Sequence, residues 1–197
     1  LGYGIYSSYN FTTIKNCNIS LGKNCGQISD FFSKGILLNG ANNSYLLNNT
    51  LYHQSVGAYI SASNVTIENN SFTDNLYGIQ VSSPNNLIIN NFIDNNVCLM
   101  GPVSARGYGI YLGSSSNILK DNIISNSTSA DIAVWGNANV VLNTTYDNLK
   151  EDVNSGGELI RKWYYQVYVN DTNGNLLTNA NISSYNNENS LITSNLT

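Results

Sequence analysis

Charge is what this sequence has least of: 8 Lys+Arg and 12 Asp+Glu among 197 residues, 10% of the chain, with a formal net charge of −4. So sparse a set of either sign cannot build the basic footprint that nucleic acid requires. Long hydrophobic runs are missing too: 42% of residues are hydrophobic, but no stretch approaches the ~20 apolar residues of a membrane helix, which excludes membrane insertion by a helix within this segment. No basic-then-apolar signal segment opens the chain, so its targeting information is expected elsewhere. Ala, Glu and Lys, the usual helix formers, are scarce, which argues against a helical protein. In their place stand 36 Asn and 14 Tyr. The apolar content is enough for a buried core in one or two domains and sets the chain apart from disordered polypeptides.

What is there is a repeat. Gly precedes a short apolar segment at Gly4-Ile5, Gly35-Ile36, Gly57-Ala58, Gly78-Ile79 and Gly109-Ile110, with Asp for Gly at Asp131-Ile132, at spacings of 31, 22, 21, 31 and 22 residues. Inside every unit an aliphatic residue, a polar residue three later and a large apolar residue two later recur. They are Ile14/Cys17/Ile19, Leu46/Asn49/Leu51, Ile67/Asn70/Phe72, Ile88/Asn91/Ile93, Leu119/Asn122/Ile124 and Val141/Thr144/Tyr146. Each unit therefore holds three very short strands, with inward columns such as Ile5/Ile36/Ala58/Ile79/Ile110/Ile132 and Ile14/Leu46/Ile67/Ile88/Leu119/Val141. Such strands bury nothing alone. Stacked at about 4.8 Å, each pairs in parallel with its copies above and below. The expectation is an all-β chain whose residues 1–150 form a parallel β-helix of about six coils of 21–31 residues. The column Asn49/Asn70/Asn91/Asn122 fits the bends, where Asn accepts left-handed backbone angles and its amide bonds the copy in the next coil.

These units resemble the parallel β-helix repeats of carbohydrate-binding and sugar-hydrolase-type domains, including NosD-like proteins and large archaeal cell-surface proteins. The resemblance implies a right-handed coil. It also implies a fold shared by lyases, glycosidases, adhesins and surface-layer proteins, so it speaks for architecture far more than for activity.

Two coils are longer by about ten residues, and both insertions follow the third strand, at residues 20–34 and 97–107. Long loops on a rigid scaffold are where function concentrates, and these two would wall a shallow cleft. Between them His53 and Asp74 occupy equivalent positions of neighbouring coils, with Asn95 next and Asp94 beside it. His53, Asp74 and Asp94 form a candidate acid/base group for a sugar or uronic acid, helped by Arg106 or Lys34. The alternative is that they are ordinary polar corner residues, since polysaccharide lyases of this fold show denser acidic clusters with basic neighbours. A second candidate is aromatic. Tyr6, Tyr59 and Tyr111 point outward from the first strand, and Tyr77 and Tyr108, like Tyr3, precede its glycines, a face suited to stacking on sugar rings. Its alternative is that Tyr simply suits an exposed strand.

The three cysteines, Cys17, Cys25 and Cys98, permit one disulfide, either Cys17 with Cys25 or Cys25 with Cys98. No zinc or phosphate-loop motif appears, and no cofactor is expected; calcium is not indicated. Sequons at Asn10, Asn18, Asn42, Asn48, Asn64, Asn69, Asn126, Asn143, Asn170, Asn181 and Asn195 agree with an exported glycoprotein. After Tyr146 the period stops. Residues 151–162 read as a linker, and 163–197 as the first strands of an immunoglobulin-like or carboxypeptidase-regulatory-like sandwich, or a cap, with Trp163–Val169 and Ala180–Tyr185 as strands around a turn at Asp171–Gly174. A sandwich needs about seven strands, so the chain reads as part of a longer protein. The sum is an extracellular or cell-surface module with a structural or adhesive role, whose partner is a polysaccharide or surface glycan, another surface protein or itself. The competing readings are a polysaccharide lyase or glycoside hydrolase, and a self-assembling surface-layer component.

Overall fold

A computed structural model of the chain describes residues 2–22, 33–97, 107–164, 167–185 and 189–196. Its contacts divide it into two units, Leu1–Trp163 and Tyr164–Thr197.

The first unit is a parallel β-helix. Its coils are β1 (Gly2–Ser7), β2 (Thr13–Lys15) and β3 (Asn18–Ile19); β4 (Ser33–Asn39), β5 (Tyr45–Leu47) and β6 (Thr50–Tyr52); and β7 (Val56–Ser61), β8 (Thr66–Glu68) and β9 (Ser71–Thr73). They continue as β10 (Tyr77–Val81), β11 (Leu87–Ile89) and β12 (Phe92–Asp94); β13 (Tyr108–Leu112), β14 (Ile118–Lys120) and β15 (Ile123–Ser125); and β16 (Ala130–Val134) with β17 (Asn139–Leu142). The first strands of all coils form one parallel sheet, the second strands another and the third strands a third. The register aligns Ile5 with Ile36, Ile36 with Ala58, Ala58 with Ile79, and Ile79 with Ile110. Inside, Ile36, Leu46, Leu51, Ile67, Phe72, Ile79, Ile88, Ile93 and Ile110 have no exposed surface. A three-residue strand gains this burial only because its neighbours one coil away complete the layer.

Two differences from the sequence expectation concern the end of the repeat. Residues 151–162 are not a linker: β18 (Glu151–Val153) pairs with β16, and β19 (Leu159–Lys162) pairs with β17, so they add two sides of a seventh coil. The pattern was invisible because this coil places polar groups where others place aliphatics. Glu151 lies in register with Ile132, and Arg161 with Val141. Arg161 grips both carboxylate oxygens of Glu151, and the Tyr146 hydroxyl donates to the same carboxylate. A bidentate, hydrogen-bonded pair thus ends the apolar core. The second difference lies in residues 163–197. Among the described residues there is no strand over Trp163–Val169; β20 (Asn181–Tyr185) and β21 (Leu191–Leu196) form one antiparallel pair instead of the start of a sandwich. Val167 and Tyr168 are 56% and 67% exposed, so this part of the alternating pattern is not buried. The Asp171 carboxylate accepts from the backbone N–H of Asn173 and Asn175 and closes the turn.

Each corner of the coil is a dipeptide. Its first residue is left-handed, as in Asn48, Asn69, Asn90 and Asp121, with φ of 54°, 55°, 54° and 53°. Its second turns inward and is buried, as in Asn49, Asn70, Asn91 and Asn122. The left-handed angle therefore falls one residue before the column to which the sequence reading assigned it. Asn91 Oδ1 accepts from Asn70 N at 2.9 Å, while Asn91 Nδ2 donates to Ile67 O at 2.8 Å and to Asn122 Oδ1 at 3.0 Å. The same construction runs up the other corners through Asn86/Asn117/Asn139 and Gln54/Asn75/Asn96. Glycine precedes the inward column for a steric reason: a Cβ on Gly57 would sit 2.5 Å from Gly78 O and 2.9 Å from Phe72 Cδ1.

Replacing Asn91 by Ala leaves the buried Asn70 N–H without an acceptor and is expected to cost about 3 kcal/mol. Asn90→Gly, at the exposed left-handed seat, is expected to change stability by less than about 0.5 kcal/mol. Urea denaturation of the two variants beside the parent measures the contrast.

The terminal Glu151–Arg161–Tyr146 group makes stability pH-dependent at both extremes. Burial pushes the Glu151 carboxyl up, but the hydrogen bonds from Arg161 and Tyr146 outweigh it and leave it below the usual carboxylate range. Burial, then the bond to Glu151, push the Tyr146 hydroxyl up to about 12. A depressed carboxyl stabilises the fold above its unfolded pKa, and that contribution fades as pH falls through the folded value. A raised phenol stabilises below its unfolded pKa near 10, and that contribution fades as pH climbs towards about 12. Melting temperatures of Glu151→Gln should lose part of the acid limb of the pH profile, and those of Tyr146→Phe part of the alkaline limb.

Candidate functional site

The corner between the third and first strands carries the left-handed seats His53, Asp74, Asn95 and Asn126, with φ of 57°, 54°, 51° and 56°. Because the residue after each seat turns inward, the seat itself faces solvent. One coil rise separates neighbours, which brings His53 Nε2 into contact with Asp74 Oδ2; the side chains are 53% and 32% exposed. The Tyr52 ring lies 5.4 Å from the imidazole. Asp94 does not join them. It sits on β12, and its Oδ1 accepts from Ser125 Oγ at 2.7 Å and Asn126 Nδ2 at 2.8 Å, bonds that hold it toward the following coil. The structure therefore assembles a His–Asp pair rather than a triad. Of the basic helpers, Arg106 lies outside the described residues, as does most of both insertions.

Lys34 is elsewhere, on the outer face of the first sheet. There the register stacks Tyr3, Lys34, Val56, Tyr77 and Tyr108 in one column and Tyr6, Leu37, Tyr59, Gln80 and Tyr111 in the next. The Lys34 ammonium lies 5.7 Å from the centre of the Tyr3 ring and 5.4 Å from that of Tyr59, a cation held between two π faces. Burial lowers its pKa below the ordinary lysine value. Around it opens a depression of about 410 Å³, lined by Tyr3, Lys34, Leu37, Asn39, Tyr59, Ser61 and Gln80. The Tyr59 hydroxyl is 3.1 Å from Ser82 Oγ.

Further along, Tyr77 and Tyr108 are 5.2 Å apart, Tyr111 stands edge-on to Tyr77 at 6.0 Å, and Tyr111 meets Trp135 at 5.8 Å. Burial raises the Tyr111 pKa, with Tyr108, Asp152 and Tyr59 adding to it. The five tyrosines proposed for sugar stacking divide here. Tyr77 is only 6% exposed and packs with Val56 and Leu76, which makes it a floor and not a platform. Tyr6 is half exposed, whereas Tyr59, Tyr108 and Tyr111 are partly buried. Trp135, 52% exposed, extends the strip and escaped sequence reading because it lies one residue past β16, outside the repeated positions.

Cys17 is a free thiol, which overturns the expected Cys17–Cys25 bridge; Cys25 and Cys98 lie outside the described residues, and with them the alternative pairing. Among the described residues no group of three or more His, Cys, Asp or Glu could hold a metal ion.

A family model described as a right-handed β-helix region matches residues 1–103 and 34–196. No curated protein matches in sequence. Among solved structures, the crystal structure of an alginate lyase from Paenibacillus sp. str. FPU-7 is similar over 80% of this chain and 64% of that chain, with a TM-score of 0.57 and 16% identity. The chain thus spans a little under two thirds of that protein, and at this identity the likeness concerns the fold.

Tyr77→Ala empties a buried aromatic site and is expected to destabilise the helix by about 3 kcal/mol, whereas Tyr6→Ala should stay within about 0.5 kcal/mol of the parent. Chemical denaturation midpoints distinguish a floor residue from a platform residue.

Proposed function

Because the chain belongs to the right-handed β-helix family, we propose that it is a polysaccharide-binding module whose contact surface is the outer face of the first sheet. The observation that carries this reading is the aromatic-walled depression around Lys34, continued by Tyr111 and Trp135. Partly exposed rings on a rigid sheet offer apolar faces to sugar rings at little entropic cost, and the amide, hydroxyl and ammonium groups among them meet sugar oxygens. The likeness to an alginate lyase adds a polysaccharide-active relative in fold. Its setting is extracellular, at a cell surface, in a structural or adhesive role. Five sequon asparagines, Asn48, Asn64, Asn69, Asn126 and Asn143, sit on exposed left-handed corners, where a glycan can be carried without touching the core.

A second reading, a lyase or hydrolase, rests on the His53–Asp74 contact. Against it, Asp94 is bound to the following coil, leaving one carboxylate beside the imidazole. Asn95 and Asn126 also fill the same seat, which makes the pair one more instance of a structural position.

A glycan-array screen run beside assays for reducing sugar and unsaturated uronate separates the readings. Binding without product release, weakened about tenfold or more in Tyr59→Ala and unchanged in His53→Ala, is expected. Product release abolished by His53→Ala or Asp74→Ala would replace the module with an enzyme.

A further inference from the structure

The second sheet turns two columns of side chains outward. In one of them Lys15, Glu68, Lys120 and Lys162 come from coils one, three, five and seven, and Leu47, Ile89 and Leu142 from coils two, four and six between them. Charged and aliphatic residues thus alternate coil by coil, in a chain of which only 10% is charged. None of these seven residues is buried. In the parallel column Leu87, Ile118, Val140 and Ile160 follow one another from coil four to coil seven, with Ile118 42% exposed. A continuous aliphatic row on an outer face, flanked by charge, has the composition of an interaction surface.

The alternation is complementary to itself about coil four. When the face is laid on its own copy with strands aligned and helix axes opposed, coil four meets coil four, coil three meets coil five and coil two meets coil six. Ile89 then faces the partner's Ile89, Leu47 faces the partner's Leu142, and Glu68 faces the partner's Lys120, the last two pairings each occurring twice. Like charges meet only at the two ends, Lys15 against the partner's Lys162, about 14 Å from the centre, where solvent screens them. Other centres that engage five coils or more fare worse. A centre between two coils sets every charge against an aliphatic side chain, and a centre on coil three or coil five puts Glu68 or Lys120 against its own copy. Within one chain Glu68 and Lys120 are two coils apart, about 9.6 Å, too far to pair. Lys120 lies 4.0 Å from Asp121 Oδ2 in its own chain, an exposed contact of small worth.

We propose that the outer face of the second sheet is an isologous interface with a second copy of this chain, the two helices antiparallel about a two-fold axis that runs along β11. The contact is about 30 Å long and one short strand with its corners wide. That puts it at the small end of specific interfaces, on the order of 1,000 Å² in all, and makes the dimer weak and dependent on concentration. The first sheet stays uncovered, so the interface stands or falls independently of the polysaccharide-binding reading.

Sedimentation equilibrium of the whole chain, from about 1 μM to about 1 mM, tests it. A reversible monomer–dimer equilibrium is expected. Glu68→Lys and Lys120→Glu should each weaken the dimer about tenfold or more, because each change removes two opposite-charge pairs and creates two like-charge ones. The double variant, Glu68→Lys with Lys120→Glu, reverses both pairs and should regain the parent's association. Ile89→Asp sets two carboxylates together on the axis and should leave a monomer. Circular dichroism melts of the same variants separate loss of contact from loss of fold, and the recovery in the double variant is a result that a merely misfolded single variant could not give. A monomer throughout the range, a dimer indifferent to the single charge changes, a dimer that survives Ile89→Asp, or a double variant that does not recover would overturn the proposal.

Discussion

Everything in the coil depends on satisfying the backbone at its corners. A chain that turns three times per coil around a dry interior must point peptide N–H and C=O groups inward where no strand pairs them, and unmet polar groups there are costly. The solution is one dipeptide used at all three corners. A left-handed residue makes the turn, and a buried amide follows it, its oxygen taking the N–H of one neighbouring coil and its nitrogen reaching a carbonyl, as Asn70 does between Asn49 N and Leu46 O. Asn suits both halves, which explains why a chain of 197 residues holds 36 of them. Apolar burial supplies the driving force, but the amide columns fix the register in which it is collected, since a slip of one residue would turn every amide out and every aliphatic with it.

The period, the three strands per coil and the inward columns were legible in the sequence because they are written in residue size and polarity at fixed spacing. One amide column was legible for the same reason. The other two were not: the Gln54/Asn75/Asn96 column keeps a 21-residue spacing but runs through only three coils before Ser127 takes its place, and the Asn86/Asn117/Asn139 corner begins with Ser44 and Val65 in its lower coils. The last coil was missed because Glu151 and Arg161 satisfy each other in positions where the period demands aliphatics. Pairwise compensation of this kind leaves no trace in a one-residue pattern. The candidate sites were legible as positions and not as contacts. Adjacency of His53 and Asp74 follows from the period, whereas the attachment of Asp94 to Ser125 and Asn126 and the burial of Tyr77 depend on which way each side chain leans.

The division of labour within the first sheet follows from the same geometry. Inward positions are constrained by packing to Ile, Leu, Val and Ala, and the glycine positions by the carbonyl of the next coil. Outward positions are of two kinds, some packed into a small outer layer, as Val56 and Tyr77 are, and some exposed, as Tyr6 is. Aromatic residues accumulate there without disturbing the core, and the rigid ladder beneath holds them in rank, a precision that a loop of equal length cannot match. The corners offer a second variable surface, where any residue tolerant of left-handed angles is admitted.

The charge pair that closes the last coil also bears on growth. A parallel β-helix is in principle a polymer of coils, and an end coil with apolar inward residues would template another chain's strands much as an open sheet edge does. With Glu151 and Arg161 at the inward positions, the next layer would have to cover an ion pair with aliphatic side chains and strip it of water for no new partner. The ion pair thereby makes that end of the stack a poorer template for another chain's strands than an all-aliphatic layer would be.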